Sequence, residues 1–206
     1  MVSHNLKCIF VHIPKCGGIS IKKILTSVEY YNYSYGEYLI SKLPESEYAF
    51  FEHHTNAVEF KSKCEYWKDY FKFAFVRNTW DRLASYYFYC KKKQIQKADS
   101  MNFEAWVQRF VGSGKYPGSS QMFWIETEPD KIELDFIGKF ENFEKDFQYV
   151  CRKLKIQADL PHINKTRHKH YSVYYSDALA DFVAEKCAVE IKYFNFKFER
   201  KVKKFL

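Results

Sequence analysis

No apolar run in the 206-residue chain approaches the roughly 20 residues of a membrane-spanning helix. The chain opens Met-Val-Ser-His-Asn, without the basic stretch and apolar core of a secretion signal, so a cytoplasmic protein without a membrane span is expected. Glycine and proline are scarce, at 7 and 5 residues, which excludes collagen-like repeats and long flexible linkers. Internal repeats and low-complexity tracts are absent as well. The six cysteines (Cys8, Cys16, Cys64, Cys90, Cys151 and Cys187) form no C-x-x-C pair and no cysteine–histidine cluster of zinc spacing. Free thiols in a reducing compartment are therefore expected, and a structural metal site is not. Also missing is the nucleoside-triphosphatase signature G-x-x-x-x-G-K-[ST], and with it the lysine and the metal-holding hydroxyl of a Mg-ATP site.

Aromatic residues, by contrast, are abundant: 20 Phe, 17 Tyr and 4 Trp predict an aromatic-rich core. With 47% hydrophobic residues the chain is long enough for one or two compact domains and is neither disordered nor fibrous. Lysine and arginine number 33 against 25 acidic residues, a formal charge of +8 that favours anionic partners such as nucleotides, nucleic acid or acidic glycans.

Cys8, Ile9, Phe10, Val11 and Ile13 make Lys7–Ile13 a short buried strand. After the turn Pro14-Lys15-Cys16-Gly17-Gly18, the spacing of Ile21, Ile24, Leu25 and Val28 predicts a helix. The pattern recurs at Phe71–Val76, where a helix with Leu83, Tyr86, Tyr87 and Cys90 on one face follows from about Thr79. It recurs again at Asp135–Phe140, where Asn142 is expected to cap a helix facing inward through Phe143, Phe147, Val150, Cys151 and Leu154. A short strand is expected at Tyr48–Phe51, helical segments between Thr55 and Tyr70, and a helix at Asn102–Phe110. Ser176 is expected to cap one last helix carrying Leu179, Phe182, Val183, Cys187 and Ile191 inward. Strands alternating with helices predict a three-layer α/β domain with a central parallel sheet, which binds ligands at the carboxyl ends of its strands.

Two of those strand ends carry anion-binding chemistry. At Lys15–Ser20 the paired glycines let backbone N–H groups converge, Ser20 offers a hydroxyl, and the helix N-terminus adds positive potential. At the second strand end Arg77 offers a planar fork and Ser85, eight residues on, a hydroxyl; together they suit a phosphate monoester. The competing reading makes Arg77, Asp81 and Arg82 a surface ion network.

The run Ile13-Pro14-Lys15-Cys16-Gly17-Gly18-Ile19-Ser20 resembles the 5′-phosphosulfate loop of sulfotransferases. Phe75-Val76-Arg77-Asn78-Thr79-Trp80-Asp81-Arg82-Leu83-Ala84-Ser85-Tyr86-Tyr87 resembles their 3′-phosphate motif. The likeness is strongest to the carbohydrate sulfotransferases that include heparan 2-O-sulfotransferases and small bacterial members, and it continues through Asp135–Asn142 and Leu160–Thr166. It implies a single P-loop-like domain over 1–206. The implied donor is 3′-phosphoadenosine 5′-phosphosulfate, and the acceptor a glycan or small molecule rather than nucleic acid. By the same resemblance Lys15, Cys16, Gly17, Gly18, Ile19 and Ser20 hold the 5′ end, Arg77 and Ser85 the 3′-phosphate, and Lys165 and Thr166 belong to a loop closing over the nucleotide. His54, ahead of Asn56-Ala57, lines up with a family histidine and is expected to be the general base, with His53 and Glu52 in reserve; Lys15 is expected to offset charge on the leaving group. Gln121 is placed on the acceptor side by likeness alone. Two departures stand out. Ile19 replaces a common Thr, and Thr79 replaces a common Pro, which is expected to loosen the entry to the helix. His162, His168 and His170, interleaved with Lys165, Arg167 and Lys169, are expected to form a basic loop and no metal site. The rival functions are a metal-dependent P-loop-type kinase and a non-enzymatic basic polyanion-binding module.

Overall fold

The computed structural model describes residues 1–31, 55–113, 116, 119–158 and 169–200. Its elements run β1 (Val2–Ser3), β2 (Cys8–Val11), α1 (Gly18–Tyr31), α2 (Ala57–Lys63), β3 (Phe71–Val76), α3 (Thr79–Lys93) and α4 (Phe103–Gly112). There follow β4 (Glu126–Glu128), β5 (Lys131–Ile132), β6 (Phe136–Lys139), α5 (Phe143–Leu154), α6 (Asp177–Lys186) and α7 (Ala188–Phe194). The strand expected at Tyr48–Phe51 lies outside the described residues. The chain forms two compact units, one of Met1–Val76 with Trp124–Asn164, the other of Arg77–Phe123 with Lys165–Leu206.

The first unit is a mixed α/β structure around a four-stranded sheet of order β1-β2-β3-β6, mostly parallel and flanked by helices. Parallel pairing sets Phe10 opposite Phe73 and Phe75 opposite Gly138. Every residue of β2 is buried, as are five of the six in β3, so β2 reads as an unbroken apolar run and β3 as one from Phe73 to Val76, after the buried Lys72. The exception to parallel order is β1, antiparallel to β2 through Val2 opposite Ile9. Two residues are too few to leave a periodic signal. Close packing on the far side of β3 depends on Gly138, where a Cβ would stand 2.5 Å from the Phe75 ring; that ring meets Phe143 edge-on at 5.2 Å. Asn142 precedes α5 but its side chain makes no cap hydrogen bond. A 3₁₀ turn at Phe140–Asn142 leads in instead, and the Asp146 carboxylate accepts from the Lys139 N–H at 2.7 Å.

The second unit packs α3, α4, α6 and α7 around aromatic rings. Trp106 stacks on Phe110 at 4.8 Å, and Tyr86 meets Phe110 edge-on at 5.2 Å. Trp80 donates its indole N–H to the Ala180 carbonyl, while the Tyr175 hydroxyl donates to the Trp80 carbonyl. Asn78, Asn102 and Ser176 cap α3, α4 and α6 through their side chains. The last helix departs from expectation: it breaks at Cys187, and the changed phase buries Glu190 at 1% exposure while Ile191 stays partly exposed.

Burial in this unit pushes the Tyr86 phenol and the Cys187 thiol each up to about 12, and the Tyr175 phenol well above its ordinary value. The neutral forms thus stabilise the fold fully below the ordinary values of 10.0 for tyrosine and 9.0 for cysteine. That contribution is lost as pH rises toward about 12. Near-ultraviolet circular dichroism is expected to hold constant to pH 9.0 and to collapse before pH 12. Retention of the signal at still higher pH would contradict the buried placement of these groups.

Candidate functional site

The first anion-binding candidate begins where β2 ends. Residues 14–17 turn and α1 starts at Gly18, with the Cys16 N–H donating to the Ile13 carbonyl and the Ser20 N–H to the Gly17 carbonyl. Two residues of the turn are left-handed, Gly17 at φ +83° and Lys15 at φ +70°. For lysine that conformation costs about 1–2 kcal/mol, as it does at Lys7, Lys97 and Lys155, which are left-handed too. Both glycines are sterically required. A Cβ on Gly17 would stand 2.5 Å from the Phe143 ring, and a Cβ on Gly18 would overlap the imidazole of His12. His12 is itself buried and stacked on Phe10 at 5.7 Å. Cys16 and Ser20 are buried, Ile19 is half exposed, and the first turn of α1 contains no acidic residue to cancel the positive end of the helix.

The second candidate lies just beyond β3. Arg77 is the first residue past the strand, and the Gln121 side chain pairs with both of its main-chain groups. Gln121 Oε1 accepts from the Arg77 N–H at 2.8 Å, and Nε2 donates to the Arg77 carbonyl at 2.8 Å. The Arg77 guanidinium reaches Asp81 Oδ2 from Nε and from Nη2, each at 2.8 Å. Arg77 and Asp81 do form the ion pair of the competing reading, yet Arg82 is no surface residue: it is 1% exposed and donates to the Ser119 carbonyl. Ser85 is buried, six residues into α3 and so about 9 Å along it.

Two expectations need correction. Gln121 does not line an acceptor surface; it is fully buried against Arg77 and Glu190. Nor does Thr79 loosen the start of α3, because it is fully buried and its hydroxyl donates to Glu190 Oε1 at 2.6 Å. Sequence reading passed over Glu190 and His12. The one signal for Glu190 was a charge set between Val189 and Ile191, and the one signal for His12 its place at a strand end.

His54, His53 and Glu52, Lys165 and Thr166, and His162 and His168 all lie outside the described residues. His170 accepts from the Ser172 N–H beside a 3₁₀ turn. Among the described residues no three histidine, cysteine or carboxylate groups gather as for a metal ion, all six cysteines are buried free thiols, and no helix is long and apolar enough to cross a membrane.

The family model described as "Sulfotransferase family" matches residues 1–197. An uncharacterized protein of Archaeoglobus fulgidus is 32% identical over 94 residues, which make up 44% of this chain and 72% of that relative.

Proposed function

The chain belongs to the sulfotransferase family, and we propose that it moves a sulfonate group from 3′-phosphoadenosine 5′-phosphosulfate to an acceptor hydroxyl, with saccharides the first acceptor class. The observation that carries this reading is the turn ahead of α1. Its left-handed Lys15 and Gly17, and a helix N-terminus whose first turn holds no acidic residue, support a role in binding phosphosulfate oxygens, while the His12 and Phe143 rings leave its glycines no room for a Cβ and so hold the turn in place. Arg77 and Ser85 suit the 3′-phosphate, and Arg77 follows a strand paired in parallel with β2, Val11 lying opposite Ala74. Carboxyl ends of such strands are where α/β sheets bind ligands, and the mostly parallel sheet flanked by helices supports a P-loop-like, three-layer architecture.

The donor, when bound, supplies an electrophilic sulfur on a phosphate leaving group. Lys15 offsets the negative charge that grows on the departing oxygen, and Ser20 and the backbone N–H groups of 16–19 hold the 5′ oxygens. In this reading His54 takes the proton of the acceptor hydroxyl, with His53 and Glu52 in reserve, and Lys165 and Thr166 serve nucleotide binding. The reading needs no metal and places the enzyme in the cytoplasm.

Adenosine 3′,5′-bisphosphate, added with a chelator at about 100 times its Kd, is expected to raise the melting temperature by roughly 5–10 °C, and adenosine 5′-monophosphate by much less. Stabilisation by ATP that requires magnesium would instead indicate the kinase. Salt-sensitive oligonucleotide binding without nucleotide stabilisation would indicate the polyanion module. A labelled-sulfonate screen across glycans and small phenols then identifies the acceptor.

A further inference from the structure

Glu190 is a buried carboxylate on which four hydrogen bonds converge. Oε1 accepts from the Thr79 hydroxyl at 2.6 Å and from Gln121 Nε2 at 3.1 Å. Oε2 accepts from the Gln121 N–H at 2.5 Å and from the Ser120 hydroxyl at 3.0 Å. Two acceptances per oxygen match the capacity of a carboxylate, and such saturation is what makes burial of the group tolerable. Two of the four donors belong to Gln121, so its side chain and its main chain are held by one anchor. The Gln121 amide then grips Arg77 at both main-chain groups, as a neighbouring strand would, one residue beyond the last sheet pairing of Val76 with Lys139. Asp81 holds the other end of Arg77.

We infer that Glu190 and Gln121 are positioning residues that fix where the Arg77 guanidinium stands, and so set the strength with which the protein discriminates a 3′-phosphorylated nucleotide from one lacking that phosphate. The inference rests on the assignment of Arg77 to the 3′-phosphate. Glu190 touches no ligand in this scheme; it acts through Gln121, and Gln121 through the backbone of Arg77. Thr79 ties the first residue of α3 to the same carboxylate.

The test is calorimetric binding of adenosine 3′,5′-bisphosphate and of adenosine 5′-monophosphate to the full chain and to Glu190→Gln, Gln121→Met and Arg77→Ala. The ratio of the two Kd values isolates the 3′-phosphate. In Glu190→Gln and Gln121→Met the ratio is expected to fall about tenfold while the monophosphate Kd stays within about twofold. An unchanged ratio, or equal weakening of both nucleotides as from general loosening, overturns the inference and leaves the assignment of Arg77 standing. A native protein that does not prefer the bisphosphate, or an Arg77→Ala variant that keeps the preference, overturns the assignment and the inference together. Should either core variant fail to fold by far-ultraviolet circular dichroism, Thr79→Val and Thr79→Ser decide. Loss of one hydroxyl is expected to lower the ratio about two- to threefold in the former, and its retention to preserve the ratio in the latter. Equal ratios in the two overturn the inference.

Discussion

Gly18→Ala is expected to cost about 3 kcal/mol of stability and most of the affinity for the bisphosphate product. The added methyl group would overlap the His12 imidazole, whose ring carbon Cγ would lie 2.9 Å away. That ring is buried at 8% exposure and backed by Phe10, which is itself stacked on Phe73. The imidazole cannot retreat without disturbing the sheet, so either α1 moves off its seat or the turn opens. In both cases the N–H groups that would meet the 5′ oxygens lose their common focus. For a chain of this length the melting temperature is expected to drop by roughly 6–12 °C. Truncating the obstacle should relieve the clash: Gly18→Ala combined with His12→Ala is expected to be less destabilised than the sum of the two single variants. Melting within a degree of the native protein would mean that the glycine is not required by packing.

Removal of Lys15 or His54 is expected to reduce sulfonate transfer more than any other single change, and in distinguishable ways. On the proposed mechanism Lys15→Ala takes away the cation that offsets charge on the leaving oxygen; loss of one such stabilising group lowers turnover by about 10²- to 10³-fold, and bisphosphate binding should weaken too. On the same mechanism His54→Ala takes away the base, for which a loss of about 10²- to 10⁴-fold is expected with bisphosphate affinity unchanged. Undiminished transfer in both variants would refute the mechanism. If His54→Ala alone retains activity, His53→Ala and Glu52→Gln are the next variants to assay.

Much of the first unit's sheet was legible in the sequence because its strands are short, apolar and terminated by turn or charged residues. Phe71–Val76 was placed to the residue, and Cys8–Val11 within two. The turn from Pro14 to Gly18 was legible for a similar reason: glycine pairs between a strand and a helix have few other uses. What escaped depends on contacts between residues far apart in the chain. Thr79 and Glu190 are separated by 111 positions, and neither residue type announces that it is buried. Gln121 is hydrophilic by composition and wholly enclosed in fact. The break at Cys187 carries no proline or glycine, so local rules continue the helix and turn Ile191 inward in place of Glu190. Asn142 shows the converse error, since a good capping residue stood at the right place but the chain enters α5 through a 3₁₀ turn.

On the proposed mechanism, the left-handed backbone at Lys15 sets heat resistance against chemistry. Glycine or asparagine relaxes such a conformation, so a laboratory selection that rewarded survival on warming and ignored turnover would favour either one there, by about 1 kcal/mol. Hardened variants obtained in that way would be expected to accumulate changes at Lys7, Lys97 and Lys155, which share the left-handed backbone, and also at residue 15, where the proposed mechanism needs the lysine. Any programme to make the protein more robust should hold residue 15 constant and look to the outer faces of its helices.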